Sequence, residues 1–239
     1  MKIATDILKK NFVKIFILSL MIVLPVYLVR EVFIMPLMPA EISSTDTKLL
    51  WYLLSILLLN FFILLFDIGV IKITLNTLQS ESQSISEIMD FSMRLWPKAI
   101  ITSFLYSISV AFGMLLCFLP GIILFIAYFF NQIVLVKTGL WGRKCLFVSH
   151  LYSKVNMLKI SVIILVTVVI EYIVSSGVTY LQSILPSAEI SCVAGVVLFW
   201  LLQSAFSIID IYFTVYVCNI KVDFDMNLTQ KKSENNAQY

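Results

Sequence analysis

Residues Leu49–Phe66 read LLWYLLSILLLNFFILLF, eighteen consecutive positions without a Lys, Arg, Asp or Glu. A helix that crosses a membrane needs about 20 mainly apolar residues, so this stretch is long enough to span one. The whole chain is similar in character: 60% of its 239 residues are hydrophobic and 13% are charged, whereas a soluble domain is roughly a quarter charged. The sequence therefore predicts an all-α, polytopic integral membrane protein.

Six apolar runs of spanning length can be placed along the chain. The fourth follows the third across Leu119-Pro120-Gly121, where Pro suits the first turn of a helix and Gly allows unusual backbone angles. We expect spans three and four to form a tight hairpin that either crosses the membrane or re-enters it. No span is expected to be broken at mid-membrane. The predicted spans are 13–35, 49–71, 98–119, 121–137, 159–180 and 192–216.

The distribution of positive charge predicts the orientation. All of the 17 Lys and Arg except Arg30 and Lys48 fall on one side of the six spans. Because cytoplasmic loops carry an excess of Lys and Arg, both termini are predicted to be cytoplasmic. The first apolar run lacks a small-residue cleavage site, which favours a retained span over a signal peptide. The expected location is the bacterial inner membrane, with several crossings.

Three short helices are predicted on the cytoplasmic surface of the membrane, within a transmembrane domain of residues 1–225. Ser84 and Glu87 form a capping-box pattern that starts the helix near 85–95, which should end at Trp96-Pro97. The other two lie near 3–12 and 142–156. The polar tail 226–239 is expected to be disordered.

The helix near 142–156 carries the candidate contacts for anionic lipid headgroups or for a membrane protein partner. Its basic side chains should face water while its apolar side chains face the membrane, an arrangement typical of surface-bound helices. The candidate contacts are Arg143, Lys144 and Lys154.

Ionisable residues inside a membrane are costly, so those within the predicted spans are functional candidates. Helical spacing groups three acids with amides of other spans into one polar seam, a path or pocket for an ion or polar solute. The alternative is that the acids reach water and that the amides only form hydrogen bonds between helices. We favour this alternative for all three acids, although least strongly for Glu171. The candidate seam consists of Asp67, Asn131, Glu171, Gln203 and Asp210.

The motifs of common catalytic and metal sites are absent from the sequence. There is no HExxH, no GxSxG-like serine and no glycine-rich phosphate loop, and His150 is the one histidine. None of the four cysteines forms a CxxC pair. Cys117 and Cys192 fall near outer helix ends and can pair only in an oxidising compartment, so buried free thiols are favoured. We expect no enzymatic activity, no metal or other cofactor, and no nucleic-acid partner.

One stretch resembles a known family. Gly113-Met-Leu-Leu-Cys-Phe-Leu-Pro-Gly-Ile122 is followed by a span and a basic loop with Ser149 and Lys154. This pattern resembles bacterial six-span proteins that include the membrane domain of some glycerophosphodiester phosphodiesterases and its stand-alone relatives. The opening Ile7-Leu-Lys-Lys-Asn-Phe12 is similar to that group as well. The resemblance implies a six-helix bundle but no activity, because the phosphodiesterase chemistry belongs to a separate domain.

The leading functional hypothesis is a non-enzymatic inner-membrane protein, a subunit or accessory for transport, export or envelope homeostasis. The concentration of basic residues and surface helices on one side favours it. The first alternative is a small proton-coupled transporter that uses Glu171. The second is a self-immunity protein against a membrane-active peptide.

Overall fold

The computed structural model describes residues 2–34, 47–155, 157–184 and 188–219. A few side chains within its helices, including that of Glu171, lie outside the described part. The described residues form helices and connections and contain no β-strand. A π-helical segment, Arg30–Ile34, continues the first helix. The α-helices are α1 (Lys2–Val29), α2 (Thr47–Leu78), α3 (Ile85–Leu116), α4 (Phe118–Ala127), α5 (Asn131–Thr138), α6 (Arg143–Lys154), α7 (Met157–Ser183) and α8 (Ala188–Asn219).

Six segments in the described part of the chain are long and apolar enough to cross a membrane. The second, third, fifth and sixth segments each lie in one α-helix, and the first is α1 with its π-helical end. The fourth segment combines α4 and α5. The prediction of an all-α, six-span membrane protein is therefore confirmed, and the cytoplasmic placement of the termini stays a prediction. The segments are Ile3–Ile34, Leu50–Leu78, Ile85–Leu116, Phe118–Thr138, Ile160–Val178 and Val193–Asn219.

The third span is longer than expected at its start. The predicted capping box is confirmed: the Ser84 hydroxyl accepts from the Glu87 amide at 3.2 Å, and the Glu87 carboxylate accepts from the Ser84 amide at 2.9 Å. The predicted end of this helix at Trp96-Pro97 is wrong, because α3 continues through Pro97 to Leu116. Trp96 donates its indole N–H to the Phe61 carbonyl at 2.6 Å. This bond holds the proline turn against α2 and helps to offset the local cost of proline.

The N-terminal segment 3–12 is likewise the beginning of α1 rather than a separate helix. Asn11 donates to the Thr77 hydroxyl at 2.9 Å, and Lys14 donates to the Gln83 carbonyl at 2.8 Å. These bonds pack the start of α1 against the end of α2 and the connection to α3. The region predicted near 142–156 contains a separate helix, α6, whose position relative to a membrane surface stays a prediction.

The turn between α3 and α4 lies earlier than expected. It is made by Cys117, which is extended (φ −169°, ψ 141°), and Leu119-Pro120-Gly121 belongs to the start of α4. Pro is tolerated there because the first amides of a helix have no partner within it. Gly121 permits close packing of the two helices, since a Cβ at this position would lie 2.7 Å from the Met114 amide nitrogen. Small residues are typical of such helix contacts in membranes.

Buried apolar residues form two clusters that share α2 and α8. One includes Leu18, Phe66 and Ile211 and joins α1 to these helices. The other surrounds Phe130 and Phe213 and joins α4, α5 and α6 to them. Half of the residues in the fourth-span window are buried (50%), against 12% in that of α7. The fourth span, made of α4 and α5, is therefore the most buried of the six.

Candidate functional site

The fourth span is interrupted between α4 and α5. Tyr128-Phe129-Phe130 form turns rather than α-helix, and the Asn131 amide bonds the Tyr128 carbonyl at 3.1 Å. In a regular α-helix, this amide would bond the Ala127 carbonyl four residues earlier. The expectation that no span is broken is therefore wrong. Neither Gly nor Pro occurs at the break, so the sequence contains no local signal for it.

Side chains of α6 donate to carbonyls on both sides of this interruption, among them the Ala127 carbonyl that the break releases. Ser153 donates to the carbonyls of Ile126 and Ala127 at 3.1 and 3.0 Å, and Ser149 donates to that of Ala127 at 3.2 Å. Cys145 donates to the Asn131 carbonyl at 3.0 Å. A buried carbonyl without a partner is costly, above all in a membrane. We call these three donors, Cys145, Ser149 and Ser153, the donor ladder.

The donor ladder follows from helical geometry. Its members are four residues apart, so they lie on one face of α6. That face is enclosed, with Cys145 and Ser149 both 0% exposed. Burial raises the pKa of the Cys145 thiol to about 12, although a backbone hydrogen bond involving Leu135 lowers it in part. The thiol is therefore protonated at physiological pH and acts as a donor rather than as a nucleophile.

Two further contacts fix the position of α6. Gly142 precedes the helix with φ 63° and ψ −139°, a conformation that favours glycine, and its amide donates to the Thr102 hydroxyl of α3 at 2.9 Å. At the other end, Lys137 of α5 donates to the Tyr152 hydroxyl at 3.3 Å. The helix is thus attached to both arms of the α3–α4–α5 hairpin.

Aromatic rings hold the interruption against α8. Phe129 and Phe130 pack edge-on against Phe213, with ring centroids 4.9 and 5.5 Å apart. Phe130 also lies 6.2 Å from the ring of Tyr216. The rings fill the space beside the break with apolar surface, so the released Ala127 carbonyl depends on Ser149 and Ser153 of α6 for its hydrogen bonds.

The opposite face of α6 carries the predicted basic contacts. Arg143, Lys144 and Lys154 are all exposed, and the apolar ring of Phe147 is 56% exposed beside them. The same helix therefore has one face sealed into the fourth span and another that presents positive charge and an aromatic side chain.

The structure brings two residues of the predicted seam together. Asp67 of α2 and Asp210 of α8 interact electrostatically, and both are half-buried. Gln203 is half-buried on α8, and the side chain of Glu171 lies outside the described residues. Within the described part of the chain, no three His, Cys, Asp or Glu side chains converge as a metal site.

Asn131 lies at the interruption, where it is buried and donates to the Tyr128 carbonyl at 2.9 Å. Its neighbour Gln132 donates to the Ser103 hydroxyl of α3 at 2.6 Å. The side-chain oxygens of both amides are buried without a hydrogen-bond partner among the described residues. Asn131 therefore belongs to the structure of the break, and the seam as a continuous path stays a prediction.

Sequence reasoning identified Ser149 only through the family resemblance and missed Cys145 and Ser153 as functional positions. The available signal was the spacing of small polar residues at i, i+4 and i+8 on a short helix. The role of these side chains as hydrogen-bond donors is recognisable only in the structure, where the fourth span is interrupted beside them.

Comparison of the chain with models of known protein families, with curated proteins and with solved structures finds no match. The resemblance to the membrane domain of glycerophosphodiester phosphodiesterases therefore stays a prediction.

Proposed function

We propose that this chain is a non-enzymatic protein of the bacterial inner membrane that serves as a subunit or accessory for transport, export or envelope homeostasis. In this proposal, both termini and α6 face the cytoplasm, in accordance with the positive-inside rule. The exposed face of α6 docks to anionic lipid headgroups or to a membrane protein partner.

The two-faced character of α6 is the observation that supports this proposal. The donor ladder fixes one face to the bundle, and this leaves Arg143, Lys144 and Lys154 exposed in a defined arrangement. Docking to a helix that is already positioned requires little further ordering, which favours affinity. Basic residues next to a membrane each contribute about 1 kcal/mol to the binding of anionic lipid.

The test replaces Arg143, Lys144 and Lys154 together by Gln. The charge-matched control replaces Lys9, Lys10 and Lys98, which are also exposed but lie on α1 and α3. Retained anionic lipid is measured by native mass spectrometry, and retained protein by cross-linking in native membranes before purification. We expect the α6 variant to lose roughly 100-fold in binding and the control to change little. Wild-type retention by the α6 variant would contradict the proposal.

The second candidate is a small proton-coupled transporter, which two observations favour. Transporter sites often lie where a spanning helix is interrupted, and the fourth span is interrupted at 128–130. The interaction of Asp67 with Asp210 adds a pair of acids within the bundle.

The transporter candidate is tested by complementation of a deletion strain with Asp67→Asn and Glu171→Gln. Both substitutions remove an acid and keep its approximate shape. Loss of function in a variant that is produced and folded at the wild-type level would support a transporter. Wild-type complementation by both variants would exclude one that depends on these acids.

A further inference from the structure

A cleft with basic walls opens between the ends of α2, α5 and α8. Its volume is about 290 Å³. Lys72 and Lys137 reach it from two different helices, and Cys218 lies at the third. Its lining residues are Lys72, Leu75, Leu78, Gln79, Val136, Lys137 and Cys218.

The two lysines of this cleft have different surroundings. Lys137 contacts the Tyr152 hydroxyl at 3.3 Å and the Val217 carbonyl at 3.5 Å, and both are uncharged acceptors. The ammonium of Lys72 lies 4.7 Å from the centre of the ring of Phe91, a residue of the neighbouring cleft, so Lys72 stands on the wall between the two clefts. Among the described lining residues of the cleft there is no Asp or Glu. The described lining of the cleft therefore contains two lysines and no carboxylate.

The neighbouring cleft provides a useful contrast. It shares Lys72, but it is also lined by Glu87, Asp90 and Arg94 and so contains charges of both signs. Opposite charges at close range compensate one another, so that cleft has little attraction for an anion. The cleft between α2, α5 and α8 has an excess of positive charge.

The carbonyl ends of helices offer a competing role for these lysines. α2, α5 and α8 all end near the cleft, and helix C-termini carry partial negative charge that attracts cations. Several of these carbonyls are already bonded, however: the Glu81 amide bonds the Asn76 carbonyl at 2.8 Å, and the Gly139 amide bonds the Leu135 carbonyl at 2.8 Å. The partial negative charge at these helix ends is small, so it does not by itself explain why two lysines line one cleft.

We infer that this cleft binds a phosphate-bearing anion, with Lys72 and Lys137 as its two cationic contacts. Phosphate matches the chemistry of the walls, because lysine binds it as a point charge and an amide such as Gln79 supplies a further donor. Two sources share this chemistry, the headgroup of an anionic phospholipid and a soluble phosphate compound. Basic pockets between spanning helices on the cytoplasmic side of a membrane are known to hold phospholipid headgroups. The site uses residues other than the exposed face of α6 and does not depend on the docking role proposed above.

Cys218 provides the readout, because it lines the cleft and is a free, half-buried thiol. Its alkylation rate is measured in detergent micelles in a Cys117→Ser/Cys192→Ser background, and the remaining Cys145 is fully buried. The probes are dioctanoyl phosphatidylglycerol, dioctanoyl phosphatidylcholine and inorganic phosphate. We expect saturable protection of Cys218 by phosphatidylglycerol or by phosphate, and none by phosphatidylcholine.

The variant Lys72→Gln/Lys137→Gln should weaken the binding of the protecting anion by roughly 25-fold. Each lysine near a membrane contributes about 1 kcal/mol to such binding, or about fivefold. Lys72→Arg/Lys137→Arg should restore most of the affinity, because the charge is kept. Lys9→Gln/Lys10→Gln removes the same charge from exposed positions of α1 and should bind as the wild type does. Each variant is compared with its own rate in the absence of anion.

The outcomes distinguish a lipid headgroup from a soluble phosphate compound, and they also decide whether the cleft binds phosphate at all. Protection by phosphatidylglycerol alone identifies a lipid headgroup, and equal protection by inorganic phosphate identifies a soluble phosphate compound. Equal protection by phosphatidylcholine, or no protection by any probe, would overturn the inference and leave the lysines as partners of helix ends. An equal loss in the Lys9→Gln/Lys10→Gln control would also overturn it, because binding would then follow overall charge.

Discussion

The third and fourth spans are two arms of one hairpin, yet only one of them is continuous. α3 contains Pro97 and runs unbroken over 32 residues. The fourth span contains no proline or glycine near its middle and is divided after Ala127. The continuous arm is held by Trp96 on α2, and the divided arm by the donor ladder of α6. In this bundle, helix continuity depends more on the neighbouring helix than on the residues conventionally regarded as helix breakers.

The largest effect is expected where the two arms touch. Gly121→Ala places a Cβ 2.5 Å from Met114 Cγ and 2.7 Å from its amide nitrogen. Because backbone cannot move as a flexible side chain does, we expect the free energy of unfolding in micelles to fall by about 3 kcal/mol. The control Gly177→Ala meets nothing within 4 Å, so it should leave stability unchanged or raise it slightly. Equal effects at both positions would show that the hairpin is not closely packed.

The next largest effect tests the donor ladder. Ser149→Ala/Ser153→Ala leaves the buried Ala127 carbonyl without its donors, whereas the Ile126 carbonyl keeps the Phe129 amide at 3.4 Å. The loss should cost about 2 kcal/mol of unfolding free energy. The control Ser109→Ala, on α3, removes a hydroxyl bonded to the Leu105 carbonyl at 2.8 Å. That carbonyl lies within a regular helix and keeps its amide partner, so the loss should be small. If Ser149→Ala/Ser153→Ala were as stable as Ser109→Ala, water would have to supply the hydrogen bonds that the donor ladder makes.

A pH effect of intermediate size is expected at Cys145. Its pKa is raised to about 12 in the folded protein, above the value of about 9 that a thiol has in the unfolded chain. The unfolded state therefore loses the proton first, so the contribution to stability is complete below pH 9 and decreases as the pH rises towards 12. Between pH 8 and pH 10, the wild type should lose about 1.4 kcal/mol more than Cys145→Ala. Parallel pH profiles from chemical unfolding would exclude an ionising Cys145.

The smallest effect is expected at the proline of the continuous arm. Pro97→Ala restores one backbone hydrogen bond, worth about 1 kcal/mol, but it also increases the freedom of the unfolded chain by a similar amount. The free energy of unfolding should therefore change by less than about 0.5 kcal/mol. A loss of 2 kcal/mol or more on thermal or chemical unfolding would show that the geometry of Pro97 itself shapes α3, and would weaken the comparison between the arms.

Much of the fold was predictable because the membrane imposes simple rules. Charge-free runs identified all six spans, and the capping box identified the start of α3 at Ser84. These signals are local, or they depend only on how apolar a stretch of about 20 residues is. The Leu119-Pro120-Gly121 sequence was correctly associated with the hairpin, but its glycine serves the contact with Met114 rather than the turn.

The candidate site was less predictable because its determinants lie far apart in the chain. The break at 128–130 has no helix-breaking residue, and the side chains that bond its carbonyls come 14 to 27 residues later in the chain. Hydrophobic periodicity cannot reveal carbonyls that are released by tertiary packing. The exposed basic residues of α6 were identifiable from their charge, whereas the buried ladder on its other face was hidden among ordinary small residues.

The donor ladder also has a consequence for how the chain is made. Ser153 follows Ala127, whose carbonyl it bonds, by 26 residues. At a synthesis rate of about 5–20 residues per second, that interval lasts roughly one to five seconds. During this time a spanning segment must bond its backbone within itself, and a regular helix through 128–130 would do so. The fourth span is therefore expected to start as a continuous helix and to be divided only when α6 packs against it.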